Sequence, residues 1–111
     1  MAGKFEIFRD KKGGFRFRLK SGNGEIVLSS EGYKDRSGAV SGAQAVKRNA
    51  GLLARFEKRA PSGGKFHFVL KAANHKVIGT SDTYPNEAAC DAGIKSVIQV
   101  APLAAIEDKS A

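Results

Sequence analysis

The 111-residue chain carries 19 Lys+Arg against 11 Asp+Glu, a formal charge of +8 and a pI near 9.9, with 41% apolar and 27% charged residues. That is the composition of one domain able to bury a core without metal or staples, and the single cysteine, Cys90, excludes an intramolecular disulfide. No stretch approaches the roughly 18 apolar residues of a membrane span, and no apolar run follows Lys4 as in a signal peptide, so a cytoplasmic protein is expected.

Taken in chain order, the first strand signal is at Phe5-Glu6. The second is clearer: Phe15, Phe17 and Leu19 alternate with Arg16, Arg18 and Lys20, the period of a strand with one buried face. It ends at Ser21-Gly22-Asn23-Gly24, where Asn-Gly predicts a type I′ hairpin with two positive-φ residues. A two-residue loop fixes the register. It sets Gly22 against Glu25, Leu19 against Leu28 and Phe17 against Ser30, and, on the other face, Lys20 against Val27, Arg18 against Ser29 and Arg16 against Glu31. After Tyr33 a helix is expected, capped by Asp35, with Ala39, Ala43, Val46 and Ala50 on one face and Gly51 as its stop.

The same elements then recur. Displaced by 51 positions, Phe15-Arg16-Phe17-Arg18-Leu19-Lys20 falls on Phe66-His67-Phe68-Val69-Leu70-Lys71, and Phe5-Glu6 on Phe56-Glu57. Asn23, Ser30, Tyr33, Gly42 and Val46 fall on Asn74, Ser81, Tyr84, Gly93 and Val97. The chain is therefore a tandem duplication within one domain over residues 1–111, with repeat one at 4–50 and repeat two at 55–101. The second hairpin turn has Asn74-His75, both tolerant of positive φ. The second helix is capped by Asn86, buries Cys90, Ile94, Val97 and Ala101, and is ended by Pro102. Ile106-Glu107 is a third apolar-Glu pair, which makes 103–109 a closing strand and tail. The mid-helix glycines Gly42 and Gly93, each costing about 1 kcal/mol relative to alanine, predict close approach of a Phe or of the repeated Tyr. Two three-stranded units joined edge to edge, with both helices on one face, make an α+β domain with one antiparallel sheet and one open sheet face.

The segments Phe17-Arg18-Leu19-Lys20-Ser21-Gly22-Asn23-Gly24-Glu25, Phe66-His67-Phe68-Val69-Leu70-Lys71-Ala72-Ala73-Asn74-His75, Ser29-Ser30-Glu31-Gly32-Tyr33 and Gly79-Thr80-Ser81-Asp82-Thr83-Tyr84 resemble the YegP-like family of small bacterial proteins over nearly the whole chain. The resemblance implies a duplicated β(3)-α-β unit, closing strands exchanged between units, and a monomer that is an internal pseudo-dimer. It supplies no activity, cofactor or catalytic residue.

The residues offer little to catalysis. Cys90 lies on a buried helix face, and only His67 and His75 could act as bases or ligands. His67–Asp82 is the one base–orienter pair, but its counterpart is Arg16–Glu31, which reads as a structural ion pair. Gly13-Gly14 and Ser62-Gly63-Gly64-Lys65 are hairpin loops without the Walker pattern. No enzyme, cofactor or metal is expected. Residues 1–50 hold 11 Lys+Arg against 5 Asp+Glu, and residues 51–111 hold 8 against 6. An anionic-partner or interaction face is accordingly expected on the open sheet: Lys11, Lys12, Arg16, Arg18, Lys20 and Lys71 supply charge, and Val27, Val69 and Ile78 supply exposed β-branched contact. The favoured function is a non-catalytic module binding a protein or small ligand there. The alternative is salt-dependent nucleic-acid binding through the basic second strand, for which Phe8 is the sole open-face aromatic.

Overall fold

Alternation of aromatic and basic residues forces Phe15–Lys20 (β2) to bury one face. In the computed structural model, which describes residues 3–60 and 63–110, Phe17 and Leu19 are fully buried while Arg16, Arg18 and Lys20 are not. Ser62 of the second loop lies outside the described residues. The first repeat contributes β1 (Lys4–Arg9), β2, β3 (Ile26–Ser29) and α1 (Arg36–Asn49). The second contributes β4 (Phe56–Arg59), β5 (His67–Lys71), β6 (Val77–Thr80) and α2 (Glu87–Val100), followed by β7 (Ala105–Asp108).

One seven-stranded sheet runs in the order β4-β5-β6-β3-β2-β1-β7. The repeats meet edge to edge at β3 and β6, through the single antiparallel pair Ser29↔Thr80. Both helices pack on one face, in one cluster that holds Phe5, Ile7, Phe17, Leu19, Phe68 and Leu70 with Ala39, Ala43, Val46, Cys90, Ile94 and Val97. The helix caps form as expected: Asp35 accepts from the Gly38 N–H and Asn86 from the Ala89 N–H, each at 2.8 Å.

The sheet is mixed, not purely antiparallel. β7 lies parallel to β1, with Phe5 beside Ile106 and Glu6 beside Glu107. β1, β4 and β7 are three versions of one strand, but only two strands of the β2 type exist to receive them antiparallel. β1 takes β2 and β4 takes β5. β7 is left to close the outer edge of β1.

The mid-helix glycines have the reason expected of them. A Cβ on Gly42 would collide with the Tyr33 hydroxyl and come within 2.9 Å of the Phe17 ring; one on Gly93 would collide with the Tyr84 hydroxyl and come within 3.1 Å of Phe68. Phe17 stacks on Tyr33 and Phe68 on Tyr84, with ring centroids 6.4 and 6.2 Å apart.

The hairpin turn differs from the expected type. Gly24 and His75 have positive φ (85° and 67°), whereas Asn23 and Asn74 do not. Gly24 N–H bonds the Ser21 carbonyl at 3.0 Å, and Ser21 N–H bonds the Glu25 carbonyl at 2.9 Å. The loop is thus one residue longer than a two-residue turn, and the extra residue is absorbed by a bulge. Leu19 still faces Leu28 and Arg18 faces Ser29, but Lys20 faces Ile26, not Val27; likewise Lys71 faces Val77, not Ile78. A second irregularity follows. Phe17 is bonded to Ser30 and Phe15 to Tyr33, so Glu31 and Gly32 together stand opposite Arg16. Phe68–Ser81 and Phe66–Tyr84 repeat it, with Asp82 and Thr83 opposite His67. The repeated serines complete the ladder there, each accepting the phenylalanine N–H on its hydroxyl oxygen at 2.9 Å.

Candidate interaction face

The sheet face away from the helices is built around a carboxylate. On β1, Phe5 and Ile7 point to the core, so Glu6 between them belongs to the opposite face, directly across from Arg18. Glu6 is 2% exposed. Arg18 Nε donates to its Oε1 at 2.8 Å, Lys20 Nζ approaches at 3.2 Å, Lys109 at 3.7 Å and Lys4 at 3.9 Å. Burial works to raise the Glu6 pKa, but hydrogen bonds and charge from Arg18 and Lys20 outweigh it and hold the carboxyl below its ordinary value. Glu107 bridges Lys4 and Lys109 at 3.6 and 3.8 Å. The Arg18 guanidinium also lies over the Phe8 ring, 4.6 Å from its centroid.

Arg16 does not meet Glu31. The irregularity opposite Arg16 displaces Glu31 from the ladder, and Arg16 instead pairs with Asp10 of the β1–β2 turn at 3.2 Å. Asp10 accepts the Gly14 and Lys12 N–H groups as well, which with Arg16 lower its pKa. Lys11 and Lys12 sit exposed on that turn, at the rim of the face. In the second repeat Glu57 takes the place of Glu6 and pairs with Arg59 at 2.7 Å and Lys71 at 3.3 Å.

Two of the three apolar residues expected on this face are turned away from it. Val27 (7% exposed) belongs to the core cluster, and Ile78 packs against it, because each is the extra residue of a bulge and is re-aimed from the face the simple register predicts. Val69 does lie on the open face, between Glu57 and Thr80, but is only 2% exposed. Ile26 (42% exposed) and Val77 stand opposite Lys20 and Lys71 instead. The sequence reading also missed Lys4, Glu6, Asp10, Glu107 and Lys109. The repeated Glu of the opening strand, set against a basic strand, was the available signal.

The base–orienter pair fails for the same reason as Arg16–Glu31. His67 and Asp82 form no hydrogen bond or ion pair among the described residues, because Asp82 stands at the second irregularity. Cys90 is buried, and its thiol pKa is raised by burial first and by Asp91 second. Among the described residues no three His, Cys, Asp or Glu side chains could together hold a metal ion, and no helix is long and apolar enough to cross a membrane.

A duplicated unit of strands and one helix, sharing a single mixed sheet, defines a two-repeat α+β protein. The family model described as a domain of unknown function (DUF1508) matches it twice, over residues 10–57 and 62–108, and the chain belongs to that family. Each match runs from β2 or β5, through the helix, to the strand after it, β4 or β7. The chain is 55% identical over 102 residues to a UPF0339 protein in the ptx operon 5′ region of Stutzerimonas stutzeri, covering 92% of each chain. It is 45% identical over 97 residues to the UPF0339 protein YegP of Escherichia coli K12, covering 87% of this chain and 88% of that one. Among solved structures, the solution NMR structure of a UPF0339 protein from Shewanella oneidensis superposes with a TM-score of 0.92 at 43% identity, over 99% of this chain and 93% of the other. The E. coli yegP solution structure, titled as a protein of unknown function, also gives 0.92, at 41% identity, over 99% and 95%.

Proposed function

We propose that the chain is a non-catalytic binding module whose open sheet face takes an acidic protein surface. The observation that carries this reading is the cationic cluster around Glu6. Lys4, Arg18, Lys20 and Lys109 gather around two carboxylates, buried Glu6 and half-exposed Glu107, so positive charge is left in excess and held close to fixed positions. Charge fixed in place loses little side-chain freedom when an anionic partner arrives. Arg16, Lys71 and Arg59 extend the array along the sheet, each tied to a neighbouring carboxylate.

The nucleic-acid reading shares the charge but lacks free ring faces. Phe17 and Phe68 are buried against the helices, and Phe8 lies under Arg18. A low-salt titration separates the two, using a labelled oligoglutamate peptide and single-stranded DNA of equal charge. Peptide binding that is lost in Lys4→Glu/Arg16→Glu and at high salt is expected. Tighter binding of the DNA would move the assignment to nucleic acid, and no binding of either at micromolar protein would overturn it.

A further inference from the structure

The two outer edges of the sheet are related by the repeat but are finished differently. At the edge of β1, Phe5 and Ile7 are fully buried, Ile106 packs against the core, Ala104 is buried and its carbonyl accepts from Lys47 Nζ at 2.7 Å. At the edge of β4, Phe56, the counterpart of Phe5, is partly exposed, and Leu53 before it is 67% exposed. Leu53, Phe56, Lys58, Asp91, Ile94 and Lys95 line a groove of about 450 Å³ between β4 and α2. No strand among the described residues fills it.

The backbone there is set to receive one. Phe68 donates its N–H to the Ser81 hydroxyl and accepts the Ser81 N–H on its carbonyl, just past β6, so Lys58 opposite it belongs to a non-hydrogen-bonded pair and directs its own backbone groups outward; Phe56, two residues earlier, has the same alternation, with its N–H held by the Leu53 carbonyl and its carbonyl facing outward. In the first repeat the equivalent outward carbonyl, on Ile7, accepts the Lys109 N–H at 2.7 Å.

We propose that the β4 edge is a docking site for an extended segment of another protein, added parallel to β4 as β7 is added to β1. The first repeat specifies the chemistry of that segment. An apolar residue in the place of Ile106 would cover Phe56 and Ile94. An acidic residue in the place of Glu107 would meet Arg55, the counterpart of Lys4, which has no ion-pair partner among the described residues. The next position reverses sign. Asp108 pairs with Arg36 at 2.9 Å, but the residue that opens α2 in the place of Arg36 is Glu87, which shares the Lys58 ammonium (3.2 Å) with Asp91 (2.9 Å); two carboxylates on one cation leave a negative charge that a basic residue there would balance. The motif is apolar-acidic-basic. A second copy of this chain is a poor occupant, because lending its β7 would uncover its own Phe5 and Ile7.

The test titrates the isotopically labelled full chain with a synthetic peptide of residues 103–109 carrying Asp108→Lys. Shift changes confined to Leu53–Arg59 and the facing side of α2 are expected, with exchange of the Lys58 amide slowed about tenfold at saturation. The peptide with native Asp108 should bind several-fold more weakly. Lys58→Pro, which removes an outward N–H and spares the β5 ladder, should abolish binding while Lys58→Ala keeps it. Arg55→Glu should weaken binding without touching the strand. Changes at β1 and Lys109 instead, or none at millimolar peptide, would overturn the proposal. So would concentration-dependent broadening of β4 without peptide, which would mark pairing between two copies.

Discussion

The Tyr33 hydroxyl occupies the space that a side chain on Gly42 would need, and Tyr84 does the same to Gly93. The helix tolerates a residue that weakens it because the tyrosine ring then packs flush between helix and sheet. Gly42→Ala should therefore destabilise the fold by about 1–3 kcal/mol despite alanine's better helix propensity. Tyr33→Phe in the same chain should recover part of that loss, since it removes the atom in collision. Urea unfolding of the two single variants and the double variant measures the coupling.

Glu6 is the second sensitive point. Glu6→Gln leaves Arg18 and Lys20 without a carboxylate, and Lys4 and Lys109 with Glu107 alone. With the cations partly solvated, a loss of about 1.5–3 kcal/mol is expected at neutral pH, smaller at high salt. The folded pKa is lowered, so the stabilisation is fully present above the ordinary value of 4.5 and is lost as pH falls through the lower folded value. The stability gap between wild type and Glu6→Gln should therefore be flat above pH 4.5 and close below it. A gap that widens in acid would contradict the arrangement.

His75 holds a φ of 67° where the first repeat has Gly24 at 85°. His75→Gly should be neutral to stabilising, by up to about 1 kcal/mol, and Gly24→Ala destabilising by about 1 kcal/mol. Thermal unfolding should move down for Gly24→Ala and should not move down for His75→Gly.

Ending the chain after Leu103 removes β7 and uncovers Phe5 and Ile7. A loss of about 2–4 kcal/mol is expected, net of the chain entropy released. Hydrogen exchange should show β1 losing protection while β5 keeps its own.

The repeat, the helix caps, the buried helix faces and the cause of the glycines were all legible, because each depends on residues close in sequence or on the comparison of one copy with the other. The face assignment of Val27 and Ile78 was not. It turns on one residue in a hairpin loop: Ser21-Gly22-Asn23-Gly24 suits a two-residue turn as well as the longer loop that forms, and the choice decides which neighbour lies opposite Lys20. Arg16–Glu31 and His67–Asp82 failed on a similar count, at the irregularity before Tyr33 and Tyr84. The exchange of the closing strand onto the other repeat was expected, but the parallel direction of β7 was hidden for another reason. A pattern shows that a strand wants a partner, but not which partners are already taken.

The parallel pairing of β7 with β1 also bears on how the chain acquires its structure. Lys4 is matched to Ala105 and Ile7 to Asp108, each pair 101 positions apart in sequence (105 − 4 and 108 − 7). Such contacts repay their loop-closure entropy only after the intervening elements are in place. During synthesis β1 can pair with β2 early, yet its other edge waits for β7, so that edge of β1 should be the final part of the core to become protected. The first repeat, although made first, would then be the second to finish folding.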